Sequence, residues 1–136
     1  MSLMAALSVL IVDDHPLLRE GLRDLVAATA GLAVWAAAAS GTDALALLEA
    51  TGAAGTLRSG GPSVVVTDLQ MPGVDGIALV AEVRARWTAL PCVVFSAQRH
   101  QVYAERARAA GAAEYVEKGD LDGLIAAVFR AGAGAA

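Results

Sequence analysis

Short apolar runs alternate along the chain with segments that repeat apolar residues at helical spacing. Residues 7–12 are almost entirely apolar and end at a pair of acids, which is typical of a strand buried on both faces of a parallel sheet. In residues 16–28, apolar side chains recur at three- and four-residue intervals, so we predict a helix with one apolar face. Asp14 is placed to cap this helix, and proline suits its first turn.

The same alternation continues to the C-terminus and gives five strand–helix pairs. The four further strands are predicted at residues 32–38, 64–67, 92–95 and 113–117. The four further helices are predicted at residues 44–50, 77–87, 98–110 and 121–130. Ser40 and Asp43 resemble a capping box for the second helix, and residues 51–62 are rich enough in glycine, serine and threonine to form a loop.

Strands that alternate with helices of this length predict an α/β fold with a parallel sheet covered on both faces. Right-handed crossovers leave few topologies. We therefore predict a flavodoxin-like, doubly wound (βα)5 fold with strand order 2-1-3-4-5. In such a fold the functional site lies outside the carboxyl ends of the strands.

Length and composition narrow the class of protein. A chain of 136 residues fits one domain with a core that needs no disulfides, and Cys92, its single cysteine, is expected to be buried and inert. The net charge of -4, without a basic stripe, argues against nucleic-acid binding by this segment itself. No apolar run reaches the roughly 18 residues of a membrane span, so we expect a soluble, cytoplasmic protein.

We expect the domain to cover residues 7–131. Met1-Ser2-Leu3 stand before a second methionine, so residues 1–6 are interpreted as a cloning remnant or a disordered N-terminus. Residues 132–136, rich in alanine and glycine, are interpreted as a linker or tail.

Chemically active side chains follow four of the predicted strands. Asp13 and Asp14 follow the first strand, Asp68 the third, Ser96 the fourth and Lys118 the fifth. In a parallel sheet these ends share one edge. Taken singly, each residue has an ordinary explanation as a helix cap, a turn residue or a solvated lysine. Their joint placement is what predicts a site.

Three carboxylates in one crevice repel one another, and a hard divalent cation relieves that repulsion. We predict Mg²⁺, with Mn²⁺ as a substitute, bound directly by Asp14 and Asp68 and through water by Asp13. A backbone carbonyl just past Asp68 would add an oxygen. Asp68 is a candidate nucleophile that forms an acyl phosphate, and Lys118 would pair with a phosphate oxygen. Ser96 offers a hydroxyl that can turn toward that phosphate.

Four segments resemble the receiver domains of two-component response regulators, which are CheY-like proteins. They are residues 9–16 (VLIVDDHP), 68–76 (DLQMPGVDG), 93–97 (VVFSA) and 109–118 (AAGAAEYVEK). The resemblance covers residues 7–131. It implies that Asp68 accepts phosphate from a histidine of a sensor kinase and that Asp13 and Asp14 hold Mg²⁺ with it. It also implies a function as a phosphoacceptor and not as an enzyme with an external substrate.

The resemblance assigns further roles. Gln70 would give the metal its backbone carbonyl, and Ser96 and Tyr115 would move together on phosphorylation while Lys118 contacts the phosphoryl group. Gln70 and Gln98 would flank the phosphate and tune how fast water removes it. The fourth helix, fifth strand and fifth helix would form the output surface, and activation could involve a homodimer.

Residues 14–16 (DHP) and 19–22 (REGL) resemble the LuxR or NarL/FixJ subclass, whose members carry a C-terminal helix-turn-helix domain. We expect DNA binding only through such a domain, which residues 1–136 do not include. A stand-alone receiver is the alternative. Glu114 stands where the subclass commonly has glycine, Ser63 where aspartate is common, and the 51–62 loop is long. These departures bear on the subclass and not on the chemistry.

Competing classes lack their signatures. A flavodoxin needs a hydroxyl-rich phosphate loop after the first strand, where this chain is acidic, and a Rossmann dehydrogenase needs Gly-x-Gly-x-x-Gly there. A phosphatase with an aspartyl intermediate would have an acid at position 70, which is Gln70. A phosphorylation-independent interaction module is the remaining alternative, and the complete acidic set with Lys118 argues against it.

Overall fold

The computed structural model describes residues 6–51 and 60–134. Five parallel strands form one sheet in the order β2-β1-β3-β4-β5, as the sequence predicts. The strands are β1 (Leu7–Val12), β2 (Leu32–Ala38), β3 (Val64–Thr67), β4 (Cys92–Ser96) and β5 (Glu114–Glu117). The helices are α1 (Pro16–Ala28), α2 (Gly41–Glu49), α3 (Gly76–Arg86), α4 (Gln101–Ala110) and α5 (Leu121–Gly134).

Each face of the sheet has its own core. Successive residues of a strand point to opposite faces, so Leu10 and Val12 pack beneath α2, α3 and α4, while Val9 and Ile11 pack beneath α1 and α5. All four of these β1 side chains are fully buried. Burial on both faces explains the apolar runs of the three central strands β1, β3 and β4, and the helices on both sides confirm the predicted doubly wound fold.

Helix α1 begins at Pro16 as predicted, but its cap and the starts of α2 and α3 differ from the sequence prediction. Asp14 does not cap α1: the N-cap is His15, and its side chain makes no capping hydrogen bond. Ser40 caps α2 by accepting from the Asp43 N–H, so this helix begins at Gly41 and not at Ala44. Asp75 accepts from the Ala78 N–H, which starts α3 at Gly76.

The prediction that α4 begins at Gln98 is wrong by three residues. The Gln98 backbone N–H donates to Ser96 Oγ at 3.0 Å, and its carbonyl accepts from the Tyr115 hydroxyl at 2.6 Å. The local bond to Ser96 and the tertiary bond to Tyr115 hold Gln98 in the loop, and His100 becomes the N-cap. The helix ends, as predicted, at Gly111, whose φ of 113° suits glycine.

The interpretation of residues 132–136 as a tail is wrong for its first part, because α5 continues to Gly134. Ala131 and Gly132 are buried, and a Cβ at Gly132 would crowd the Leu7 side chain, so glycine lets the helix pack closely on the start of β1. Residues 1–5, which belong to the predicted N-terminal remnant, lie outside the described residues. Residues 52–59 of the predicted loop also lie outside them.

Cys92 is buried, as predicted, and burial raises the pKa of its thiol to about 12, which keeps the thiol protonated. Among the residues that the structure describes, no helix combines the length and apolar character that crossing a membrane requires.

Candidate phosphoacceptor and metal site

The structure brings the predicted residues together at the carboxyl edge of the sheet. Asp13 directly follows β1, Asp68 directly follows β3, Ser96 is the last residue of β4 and Lys118 directly follows β5. Backbone hydrogen bonds continue the strand pairing into this edge. The Asp68 N–H donates to the Val12 carbonyl at 2.9 Å, and the Lys118 N–H donates to the Ser96 carbonyl at 2.8 Å. The rigid sheet therefore fixes where each side chain starts.

Lys118 lies between two of the carboxylates. Its Nζ is 3.4 Å from Asp13 Oδ2 and 3.2 Å from Asp68 Oδ2. The side chains of Asp13 and Asp68 are only 1% and 12% exposed, so both ion pairs are shielded from water. A charge-assisted contact of this kind is stronger than a surface pair, and it holds the ammonium against the candidate nucleophile.

Asp14 completes an acidic cluster. It is exposed, and its carboxylate has oxygen atoms within 4.8 Å of those of Asp13 and Asp68. Three carboxylates and one ammonium leave a formal charge of about -2 when all are ionised. The donor set consists of oxygen, which Mg²⁺ and Mn²⁺ prefer. The residues present therefore fit a hard divalent cation.

The electrostatics of Asp68 reflect its position. Burial raises the pKa of its carboxyl group above the ordinary value, the neighbouring Asp13 raises it further, and Lys118 opposes both by attraction. The Leu69 N–H donates to Asp68 Oδ1 at 2.8 Å and also favours the ionised form. The net direction is upward, so the ionised carboxylate is less stable here than in water.

Gln98 connects the remaining predicted residues. Its backbone contacts Ser96 and Tyr115, and its side-chain Nε2 donates to Gln70 Oε1 at 3.0 Å. Gln70 lies two residues after Asp68 and is exposed. The side chains of Gln70 and Gln98 therefore link the loop after β3 to the loop after β4, next to the acidic cluster. The Ser96 side chain is buried, and its Oγ faces the Gln98 N–H.

Two positions of the site were missed by the sequence prediction. The Gly76 N–H donates to the Leu69 carbonyl at 2.8 Å, and a Cβ at Gly76 would collide with the Asp68 carbonyl oxygen. Arg19 donates from its guanidinium to the Asp13 carbonyl oxygen at 2.9 Å. Gly76 lies in the 68–76 segment that resembles the receiver family, and Arg19 lies in the 19–22 segment that resembles the LuxR or NarL/FixJ subclass; these resemblances are the only sequence signals that point to the two residues.

The family model for the response regulator receiver domain matches residues 9–129. The chain is 29% identical over 128 residues to the nitrate/nitrite response regulator protein NarL of Escherichia coli K12, covering 93% of this chain and 55% of NarL. It is 31% identical over 132 residues to the transcriptional regulatory protein FixJ of Azorhizobium caulinodans, and the match covers 95% of this chain and 56% of FixJ. The chain thus spans about half the length of these relatives.

A solved structure agrees. The two-component response regulator of the LuxR family from Aurantimonas sp. SI85-9A1 superposes with a TM-score of 0.83 at 34% identity, covering 96% of this chain and 87% of that one. The chain therefore belongs to the response regulator receiver domain family. Within that family it is a receiver of the NarL/FixJ type, which confirms the resemblance seen in the sequence.

We predict that Gly76→Ala destabilises the protein by about 1–3 kcal/mol, because the added methyl group must displace the Asp68 carbonyl. Gly21→Ala is the matched control. Gly21 lies in α1 with open space around its Cβ position, so the same change should stabilise by about 0.5–1 kcal/mol. Urea unfolding measures both variants, and equal effects would contradict the close packing at Gly76.

We predict that Asp68→Asn is more stable than the wild type at pH 7 in metal-free buffer. A raised folded-state pKa means that the wild type bears the full cost of the ionised carboxylate above that pKa. The cost disappears as pH falls through the folded pKa toward the ordinary carboxyl value, so the advantage of the variant should shrink. Thermal unfolding across this range with a chelator present tests the sign, and a variant less stable at pH 7 would contradict it.

Proposed function

We propose that Asp68 accepts a phosphoryl group from a phosphohistidine of a sensor kinase. The observation that carries this proposal is the meeting of Asp68, the half-buried Lys118 and two further acids at one sheet edge. In the reaction, a bond forms between an Asp68 carboxylate oxygen and phosphorus. The phosphorus–nitrogen bond of the donor breaks, and its electron pair remains on the imidazole nitrogen. The chain is itself the acceptor and has no external substrate.

A Mg²⁺ ion is part of this proposal. Asp13, Asp14, Asp68 and the backbone carbonyl of Gln70 would hold it, and Mn²⁺ would substitute. The ion supplies charge neutralisation for the transferring group when it is bound. The oxygen-only donor set and the surplus negative charge of the three carboxylates support this assignment.

Lys118, Ser96 and Tyr115 are proposed to respond to the phosphoryl group. The Lys118 ammonium, 3.2 Å from Asp68 Oδ2, is close enough to pair with a phosphoryl oxygen. Ser96 Oγ accepts from the Gln98 N–H, which leaves its own proton free to donate to the phosphate. Tyr115 binds the carbonyl of the same Gln98, so a movement of that loop reaches the tyrosine directly.

The output of this receiver is proposed by similarity. NarL and FixJ are named as a response regulator and a transcriptional regulatory protein, and this chain matches about half of each. We propose that phosphorylation controls transcription through a DNA-binding domain outside these residues, that the surface of α4, β5 and α5 transmits the output, and that activation involves a homodimer. A stand-alone receiver and a phosphorylation-independent interaction module are the alternatives.

Intact mass after incubation with acetyl phosphate and Mg²⁺ tests the proposal. We expect one added phosphoryl group on the wild type and on Asp24→Asn, a control at an exposed aspartate of α1. We expect none on Asp68→Asn and none when a chelator removes the metal. Folded wild-type protein that never gains the mass would contradict phosphoacceptor function and favour the interaction module.

Gln70 and Gln98 are proposed to tune the lifetime of the phosphate. Their side chains are joined by a hydrogen bond beside the site, so Gln70→Ala or Gln98→Ala should open a path for water. We predict that either change speeds loss of the phosphate by up to about fivefold, the factor that one net hydrogen bond supplies. Gln101→Ala, at an exposed glutamine of α4, is the control. Unchanged decay in both site variants would refute the tuning role.

A further inference from the structure

The Arg19 side chain reaches back from the second turn of α1 to the end of β1. Its Nη1 donates to the backbone carbonyl oxygen of Asp13 at 2.9 Å. Arg19 is half-buried, whereas Arg23, one turn further along α1, is exposed. The first of these two arginines therefore has a specific partner at the candidate metal site, and the second offers a comparison on the same helix.

The Asp13 carbonyl needs a donor because β1 ends there. At the preceding residue, the Val12 carbonyl accepts from the Asp68 N–H, and the Asp13 N–H still donates to the Ala38 carbonyl of β2 at 3.1 Å. The chain then turns away from the sheet, so the Asp13 carbonyl has no strand partner. Asp13 is only 1% exposed, and a buried carbonyl without a donor is costly. Arg19 is the donor that the structure shows for it.

This contact fixes the peptide that joins the two acids. Asp13 is held on the sheet side by Ala38, on the helix side by Arg19, and through its Oδ1 by the His15 N–H at 2.9 Å. The carbonyl that Arg19 binds belongs to the peptide unit between Asp13 and Asp14. Rotation of that unit would swing the Asp14 side chain, whose carboxylate has no hydrogen-bond partner among the described residues.

The charge of Arg19 and its hydrogen bond to Asp13 predict opposite changes in cation affinity when Arg19 is replaced. A guanidinium beside a cation site repels the cation, so loss of that charge alone would strengthen cation binding. Loss of a contact that orients a ligand would weaken it, as is usual for residues that hold metal ligands in place. The sign of the change in affinity therefore separates the two effects.

We propose that Arg19 is a positioning residue for the divalent cation, because it holds the Asp13–Asp14 peptide so that the Asp14 carboxylate faces Asp68. This inference rests on the proposed cation site. The positive charge of the Arg19 guanidinium repels the Mg²⁺ ion that this residue helps to bind. The proposed role therefore depends on the hydrogen bond to the Asp13 carbonyl and not on the charge.

Calorimetric titration with Mg²⁺ tests the inference on the wild type, Arg19→Gln, Arg19→Lys and Arg23→Gln. We expect Arg19→Gln to weaken binding about tenfold or more, as loss of an outer contact to a metal ligand typically does. Arg19→Lys, which keeps a charged donor, should recover part of that loss. Arg23→Gln removes the same charge without the contact and should bind at least as tightly as the wild type.

Amide resonances of the metal-free proteins provide the second measurement. Arg19→Gln should shift the Asp13 and Asp14 amides, whereas Arg23→Gln should leave them in place. A wild type that does not bind Mg²⁺ would defeat the proposed cation site itself. A wild type that binds, together with Arg19→Gln that binds equally or more tightly, would overturn the role of Arg19 and leave the site intact. If Arg19→Gln does not fold, the same comparison is made with Arg19→Met, which keeps an unbranched apolar side chain but has no donor, and unchanged affinity with unchanged amides in that variant would overturn the role.

Discussion

Parallel pairing of the strands is the constraint on which the site depends. Asp13 and Lys118 are separated by 105 positions, yet their side chains meet because β1 and β5 run in the same direction and end at the same edge. The Asp68 N–H bonded to Val12 and the Lys118 N–H bonded to Ser96 extend that pairing beyond the strands. Without this register, the acids and the lysine would be separate surface residues with no common chemistry.

The carboxylates of the site repel one another, and the packed sheet beneath them holds their backbone in place. Burial and Asp13 raise the pKa of Asp68, and the single ammonium of Lys118 offsets only part of the repulsion. One apolar core packs against each face of the sheet, and this packing keeps the backbone rigid despite the repulsion. The surplus negative charge is also what gives the cluster its affinity for a divalent cation, so the local cost and the proposed function have one origin.

Features with a local cause were predictable from the sequence. Solid apolar runs marked the strands, proline and amphipathic spacing marked α1 to its observed bounds, and the acids after the strands marked the site. Features with a tertiary cause were not. The Tyr115 hydroxyl, 17 residues further along the chain, binds the Gln98 carbonyl and helps to keep Gln98 outside α4, and α5 continues past Arg130 where Gly132 packs against Leu7. No local sequence pattern predicts contacts of this kind.

Gly76 and Arg19 are two residues of the site whose contacts could not be predicted from the sequence. A glycine at the start of a helix and an arginine on its surface are both common, and nothing in their spacing reveals that one clears the Asp68 carbonyl and the other binds the Asp13 carbonyl. Only the path of the backbone between β1 and α1, and between β3 and α3, brings these groups together. The metal and phosphate chemistry proposed for the site therefore depends on contacts as well as on residue types.

The most direct measurement is to locate the phosphoryl group chemically. An acyl phosphate of aspartate is reduced by borohydride to homoserine, so reduction of phosphorylated protein followed by peptide mass spectrometry identifies the residue that was modified. We expect homoserine at position 68 and aspartate at positions 13 and 14. Homoserine at position 13 or 14, with Asp68 intact, would contradict the assignment of Asp68 as the phosphoacceptor.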